Sequence, residues 1–343
     1  MILAVRLVNH PLFNKKQLQA DYEAAPEGRQ LEWTQAASRL CRMTGQVISA
    51  KDFVKVFALI NTNSSFLADE DFHTYGLGLF YPNCYVNHSC WPNCVPIYLD
   101  SQQFYYAVQE IRPGDELTIA YCDIIEARSK RRRTLAQSFF FLCDCSRCHE
   151  PLTVDYYSEC MSCTSCGGGI SLIEDDALAC NLCGLTTDYR RLESVKNRLN
   201  ATAEKLAIVS TAGEASEFMR ELENLGLHPL HRLWIEFCSK AIPLMVQQNL
   251  YKKAARLAQR FTEMSSMIFP PNYPTVAVEH YRAGRLLIFA DDRPQAILHL
   301  KESLRMLSLY YSSENSEFVR HIADTVEGLE EEARLGRRLL HFN

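Results

Sequence analysis

Twelve of the chain's 14 cysteines fall between Cys84 and Cys183, a window of 100 residues. Thiols at that density are either crosslinked or metal-bound, and the choice follows the redox compartment. The start, MILAVRLVNHPLF, is interrupted by Arg6 too early for a secretory signal. No apolar run reaches the ~18 residues that a membrane helix needs. The sequence therefore reads as intracellular, in the cytoplasm, the nucleus or both, with no membrane partner, and its cysteines read as metal ligands. Hydrophobic residues are 47% of the 343 and charged residues 22%, an ordinary globular composition with length for about two domains. A net charge of −5 argues against broad nucleic-acid binding.

The cysteine spacings assemble two metal sites. Cys163-Thr-Ser-Cys166-Gly167 and Cys180-Asn-Leu-Cys183-Gly184 are two C-x-x-C-G knuckles with 13 residues between them, the pattern of a four-cysteine zinc ribbon. The glycine after each second cysteine permits the tight turn that points backbone amides at sulfur. Cys160, three positions before Cys163, could substitute as a ligand. Cys143-Asp-Cys145-Ser-Arg-Cys148 supplies three thiolates within six residues, one short of a tetrahedral structural set. Both sites read as closed and structural, since a catalytic zinc keeps an open position. Cys84, Cys94 and Cys122 read as small packed hydrophobes.

Around the cysteines the pattern changes along the chain. Residues 1–75 read as mostly helical, with apolar residues three and four apart in LEWTQAASRLCRM (31–43) and KDFVKVFALI (51–60). From 76 to 122, short apolar runs broken by Gly, Pro and Asn read as strands, with DSQQ (100–103) as a hairpin loop and Arg112-Pro-Gly-Asp115 as a turn. Arg128, Lys130, Arg131, Arg132 and Arg133 open a basic helix. They read as a solvated face, with a landing site for an acidic partner or nucleic acid as the sharper alternative. Residues 191–343 read as helical and repeating. Ala254, Leu257, Phe261 and Met264 match Ile297, Leu300, Leu304 and Leu307 at an offset of 43, and Trp234, Cys238, Ala241 and Met245 match Ala277, Tyr281, Gly284 and Ile288. A repeated helix pair at fixed period is the signature of an α-solenoid.

Asn87-His-Ser-Cys-Trp-Pro-Asn-Cys94 resembles the NHSCxPNC signature of SET-domain protein lysine methyltransferases. Gly114-Asp-Glu-Leu-Thr-Ile-Ala-Tyr-Cys-Asp123 looks like that family's following strand, and Phe139-Phe-Phe-Leu-Cys-Asp-Cys145 with Cys148 looks like its post-SET zinc segment. With the helical repeats, the chain is similar to the SET and MYND domain (SMYD) subfamily, whose carboxyl-terminal domain is tetratricopeptide-like. The resemblance implies an α+β fold in four stretches: a helical SET insert at 1–75, the SET carboxyl-terminal portion and post-SET segment at 76–150, a zinc-ribbon insert at 151–190 and a tetratricopeptide-like domain at 191–343. It implies that Cys90 completes a zinc site with Cys143, Cys145 and Cys148. It also implies that Asn87, His88, Phe141 and Asn63 contact S-adenosylmethionine, that Phe66 and Phe139 line a lysine channel and that Tyr121 is catalytic. Family members often carry tyrosine where Phe139 stands, and a phenyl there leaves room for higher methylation states.

The implied partners are a histone or non-histone protein bearing the target lysine and, on the helical domain, a chaperone or other protein tail. The family's amino-terminal G-x-G loop and MYND finger are not found in the sequence. Two function classes stand side by side: an S-adenosylmethionine-dependent protein-lysine N-methyltransferase, and a catalytically impaired SET-derived scaffold that binds proteins through its helices.

Overall fold

A computed structural model of the chain describes residues 22–45, 48–69, 73–80, 83–99, 102–150, 152–171 and 179–336. The expected helical character of residues 1–21, the tip of the 100–103 loop and the end of the 191–343 stretch lie outside them. The chain forms two compact units, one of Met1–Asp123 with Arg128–His149, the other of Ile124–Ala127 with Glu150–Asn343.

In the first unit, α1 (Glu27–Met43) packs on α2 (Ala50–Asn63). Ser49 caps α2 by accepting the Asp52 N–H at 3.1 Å. Ala37 and Leu40 of α1 meet Phe53 and Val56 of α2 in a small core. The strands then run as separate pairs. β1 (Ser65–Ala68) is antiparallel to β2 (Thr74–Gly78), and β1 lies inside the stretch expected to be helical. Its β-compatible Ser-Phe-Leu-Ala begins just after Ser64, which leaves the helix in extended backbone. β3 (Asn87–His88) is parallel to β6 (Thr118–Ile119), and β4 (Cys94–Leu99) is antiparallel to β5 (Gln102–Ala107). The expected loop at 100–103 is too long: Gln102 and Gln103 pair with Leu99 and Tyr98 in the ladder.

α3 (Arg128–Ser138) and α4 (Ser146–His149) close the unit. The basic run is not one solvated face. Arg131 is 1% exposed and shares the buried side of α3 with Leu135. Residues three and four apart share a helix face, so a run of consecutive cations cannot all point to water.

In the second unit, α5 (Thr153–Tyr157) leads into a hairpin of β7 (Cys160–Ser162) and β8 (Gly169–Ser171). The hairpin is tied to the helices by a Met161–Leu227 bridge and by the His228 N–H, which donates to the Cys160 carbonyl at 3.0 Å. Then follow α6 (Tyr189–Ile208), α7 (Ala212–Asn224), α8 (Arg232–Gln247), α9 (Tyr251–Ile268), α10 (Pro274–Phe289), α11 (Arg293–Leu307) and α12 (Glu317–Leu335). From α7 onward each helix packs on the next. Of the residues matched at the 43-residue offset, Trp234, Cys238, Ala241, Met245, Ala254, Leu257, Met264, Ala277, Ile288, Leu300 and Leu307 are buried. At Gly284 an added Cβ would lie 2.7 Å from Leu300 Cγ, so α10 and α11 approach closely there. Among the described residues, no helix is long and apolar enough to cross a membrane.

Candidate functional site

Three consecutive phenylalanines leave α3 in three directions. Phe139 packs against Tyr121, with ring centroids 4.9 Å apart. Phe140 takes a left-handed backbone, φ 63°, and joins the cluster of Trp33, Ala25 and Ala58. Phe141 lies beside His88, at 6.1 Å between centroids. A non-glycine residue in that conformation costs about 1–3 kcal/mol, and here Phe140 goes to that cluster while Phe139 and Phe141 flank the Tyr121–His88 pair. Asn61 steadies the turn, its amide donating to the Ser138 carbonyl at 2.7 Å.

Tyr121, Phe139, Phe66 and Asn63 line one cleft of about 140 Å³ together with Cys84 and Tyr98. Phe66 is 64% exposed, so it forms the mouth rather than the wall. Asn63 ends α2, its amide donating to the Leu59 carbonyl at 2.9 Å. The Tyr121 hydroxyl donates to the Val86 carbonyl at 2.5 Å. Burial, with Cys84 and Glu116 nearby, pushes its pKa up to about 12, so it remains a phenol and a hydrogen-bond donor. His88 is held at about 4, chiefly by burial, and stays neutral. Asn87 stands apart from the cleft: its amide donates to Glu116 Oε1 at 2.6 Å.

The sulfurs of Cys90, Cys143, Cys145 and Cys148 lie within 4.8 Å of one another, as do those of Cys163, Cys166, Cys180 and Cys183. None of the described cysteines is in a disulfide. Zinc–sulfur bonds of about 2.3 Å in a tetrahedron require sulfurs about 3.8 Å apart. Cys90–Cys148 at 3.6 Å, Cys163–Cys183 at 3.7 Å and Cys166–Cys180 at 3.5 Å suit that geometry. Within the first set, hydrogen bonds from Cys143, then Cys148 and Cys90, hold Cys145 well below the ordinary thiol range, while hydrogen bonds with Cys145, then Cys148 and Cys90, push Cys143 up. In the second, the Cys183 and Leu182 amides lower Cys180 to about 6. Thiolates are what a metal binds.

The knuckle glycines Gly167 and Gly184 have φ of 75° and 69°, which side chains rarely tolerate. The Ser165 and Gly168 amides reach Cys163 and Cys166 sulfurs at 3.4 Å. Cys160 donates to the Tyr156 carbonyl at 3.2 Å and takes no place in the set. Cys122 is more than a packed hydrophobe. Its sulfur lies within 4.8 Å of both Cys90 Sγ and a His88 ring nitrogen. Tyr98 and Cys84 also line the cleft without any motif to announce them.

The SET domain family model matches residues 6–122, a span that includes the cleft's Asn63, Phe66 and Tyr121. Among curated proteins the chain is similar to histone-lysine N-methyltransferase ASHR1 of Arabidopsis thaliana, 20% identical over 86% of this chain and 64% of that protein. It is similar to histone-lysine N-methyltransferase SMYD3 of Homo sapiens, 24% identical over 79% of this chain and 58% of that protein. It also matches N-lysine methyltransferase SMYD2 of Gallus gallus, 24% identical over 79% of this chain and 60% of that protein. The chain carries a SET-domain match and is similar to SMYD-family proteins. It spans about three-fifths of the length of these curated relatives. The SMYD likeness runs well past residue 122, as the motif order in the sequence implied.

Proposed function

We propose that the chain is an S-adenosylmethionine-dependent protein-lysine N-methyltransferase acting on a histone or another protein. The observation that carries this reading is the cleft shared by Tyr121, Phe139, Phe66 and Asn63. The names of the relatives, all lysine methyltransferases, support the same class. Residues 1–150 are read as the SET portion with its post-SET segment, residues 151–190 as the ribbon, and residues 191–343 as a tetratricopeptide-like array that docks a protein tail such as a chaperone's.

S-adenosylmethionine would supply an electrophilic methyl group. The residues assigned to hold it are His88 through its backbone, Asn87, Phe141 and Asn63. They fit such a ligand: Phe141 is half-buried with part of its ring open, and Asn87 uses one amide hydrogen on Glu116 while its carbonyl oxygen remains an acceptor. The chain's own work falls on the amine. Lysine has a pKa near 10.4 in water and must be neutral to attack. The Phe139 ring, with Phe66 at the mouth, disfavours the ammonium by desolvation and aligns the nitrogen. Tyr121, kept protonated, orients the amine and does not take its proton, which leaves to water. Phe139, with no hydroxyl, leaves room for a methylated amine, and di- and trimethyllysine are the expected products. Zinc on both cysteine sets is structural in this reading.

The test uses the full, zinc-loaded chain. Calorimetric binding of S-adenosylmethionine and mass-detected methylation of histone lysines are expected. Folded, zinc-loaded protein that binds no cofactor at millimolar concentration would overturn the enzyme reading.

A further inference from the structure

The Tyr121 N–H donates to His88 Nδ1 at 2.9 Å. A ring nitrogen that accepts a hydrogen bond carries no proton, so the ring's proton sits on Nε2. Nε2 lies 3.2 Å from Cys90 Sγ. The contact is therefore an N–H donated to sulfur. His88, Cys90 and Cys122 lie within 4.8 Å of one another and look like a second metal trio, but an Nε2 that bears a proton has no lone pair for a metal. Cys90 itself is pinned from two further sides. Its N–H donates to Cys145 Sγ at 3.3 Å, and Arg147 donates to its carbonyl at 3.1 Å.

We propose that His88 is a positioning residue that couples the Cys90 metal set to Tyr121, donating from Nε2 to the Cys90 thiolate and accepting the Tyr121 amide at Nδ1. Such outer-shell donors hold a ligand's orientation and are typically worth 10–100-fold in metal affinity. Here the same ring also fixes the backbone of the residue in the cleft. The proposal rests on the reading of the Cys90 set as a zinc site.

Two substitutions separate the two bonds, because Asn places an acceptor where Nδ1 stands and Gln a donor near Nε2. In the full zinc-loaded chain, His88→Asn should release zinc to a chromophoric chelator about tenfold faster with Tyr121 amide exchange unchanged. His88→Gln should leave zinc release unchanged and speed exchange at Tyr121. Variants that move both readouts together, or neither, overturn the proposal. Histidine ¹⁵N spectra of the unmutated chain give an independent decision. A protonated Nε2 with an unprotonated Nδ1 is expected, and the opposite tautomer overturns it. A third zinc equivalent that Cys122→Ser removes would make the trio a metal site and also overturn it. Should the Cys90 set bind no zinc at all, the zinc reading fails on metal content alone. The tautomer and the exchange split between His88→Asn and His88→Gln still decide whether His88 holds Tyr121.

Discussion

Tyr121 is held at three points: its amide on His88, its hydroxyl on the Val86 carbonyl and its ring on Phe139. Tyr121→Phe removes only the second. A half-buried hydrogen bond is worth about 1 kcal/mol net, so a small loss of stability is expected in denaturant melts. Methyl transfer should fall far more, by about 10²-fold, because the lost hydroxyl is the group that orients the amine. An activity loss no larger than the stability loss would place the tyrosine's role in folding alone. Residue identity in this region was legible where several motifs ran in order: Asn87–Cys94, Gly114–Asp123 and Phe139–Cys148 each pointed to Tyr121 or to the thiols. What no motif carried was direction. Phe139, Phe140 and Phe141 read as one apolar run, yet Phe140 packs with Trp33 while Phe139 meets Tyr121 and Phe141 meets His88. The neighbours Arg131 and Arg132 differ in burial for a reason of helix phase that charge counting does not register.

At the scale of elements, the helices of the second unit carry two devices that can be tested separately. His231 caps α8, its Nδ1 accepting the Leu233 N–H at 3.2 Å. It is fully buried, and burial, with Arg232 and His228 adding to it, lowers its pKa to about 3. An unfolded histidine protonates near 6.5. Below that pH the unfolded chain takes up a proton that the folded chain refuses. The contribution is thus complete above about pH 6.5 and is lost as pH falls toward about 3. His231→Asn keeps an acceptor at the cap and removes the titration. Its stability should decline less steeply than that of the unmutated chain between pH 6 and pH 4, by about 1.4 kcal/mol per pH unit. Equal slopes in urea melts would refute it.

Gly284 is the second device. Alanine is favoured over glycine inside a helix by about 1 kcal/mol, but its Cβ would stand 2.7 and 2.8 Å from two atoms of the fully buried Leu300. Overpacking of that kind costs about 1–3 kcal/mol. Gly284→Ala should lower the melting temperature despite the propensity gain. The repeat offset matched Gly284 to Ala241 and Leu300 to Leu257 from sequence alone. That the small residue serves the large one facing it required the helices to be packed.

Across the whole molecule the thiol segments and the helical array keep themselves folded by different means. Around the Cys90 set, the buried cluster is built from Cys90, Cys143, Cys148 and Leu135, and the following helix α4 is only four residues long. Such a segment has little apolar surface of its own, and metal–thiolate bonds would supply its folding energy. The array from α8 to α12 instead buries Phe237, Met245, Leu300, Leu307 and Ile322 and needs no metal to close. Chelation of the full chain should therefore act unevenly. We expect two zinc equivalents at the start, one from each thiol set. After their removal, most of the helical circular dichroism should persist, since α6–α12 contribute most of the helix. Protection from proteolysis should be lost between residues 139 and 149 and in the 160–184 hairpin, and retained from α8 through α12. Cys183→Ser should remove one equivalent and leave the 139–149 segment protected, which assigns each zinc to its own set. Collapse of α8–α12 together with the thiol segments would show instead that the array borrows its stability from the metal sites.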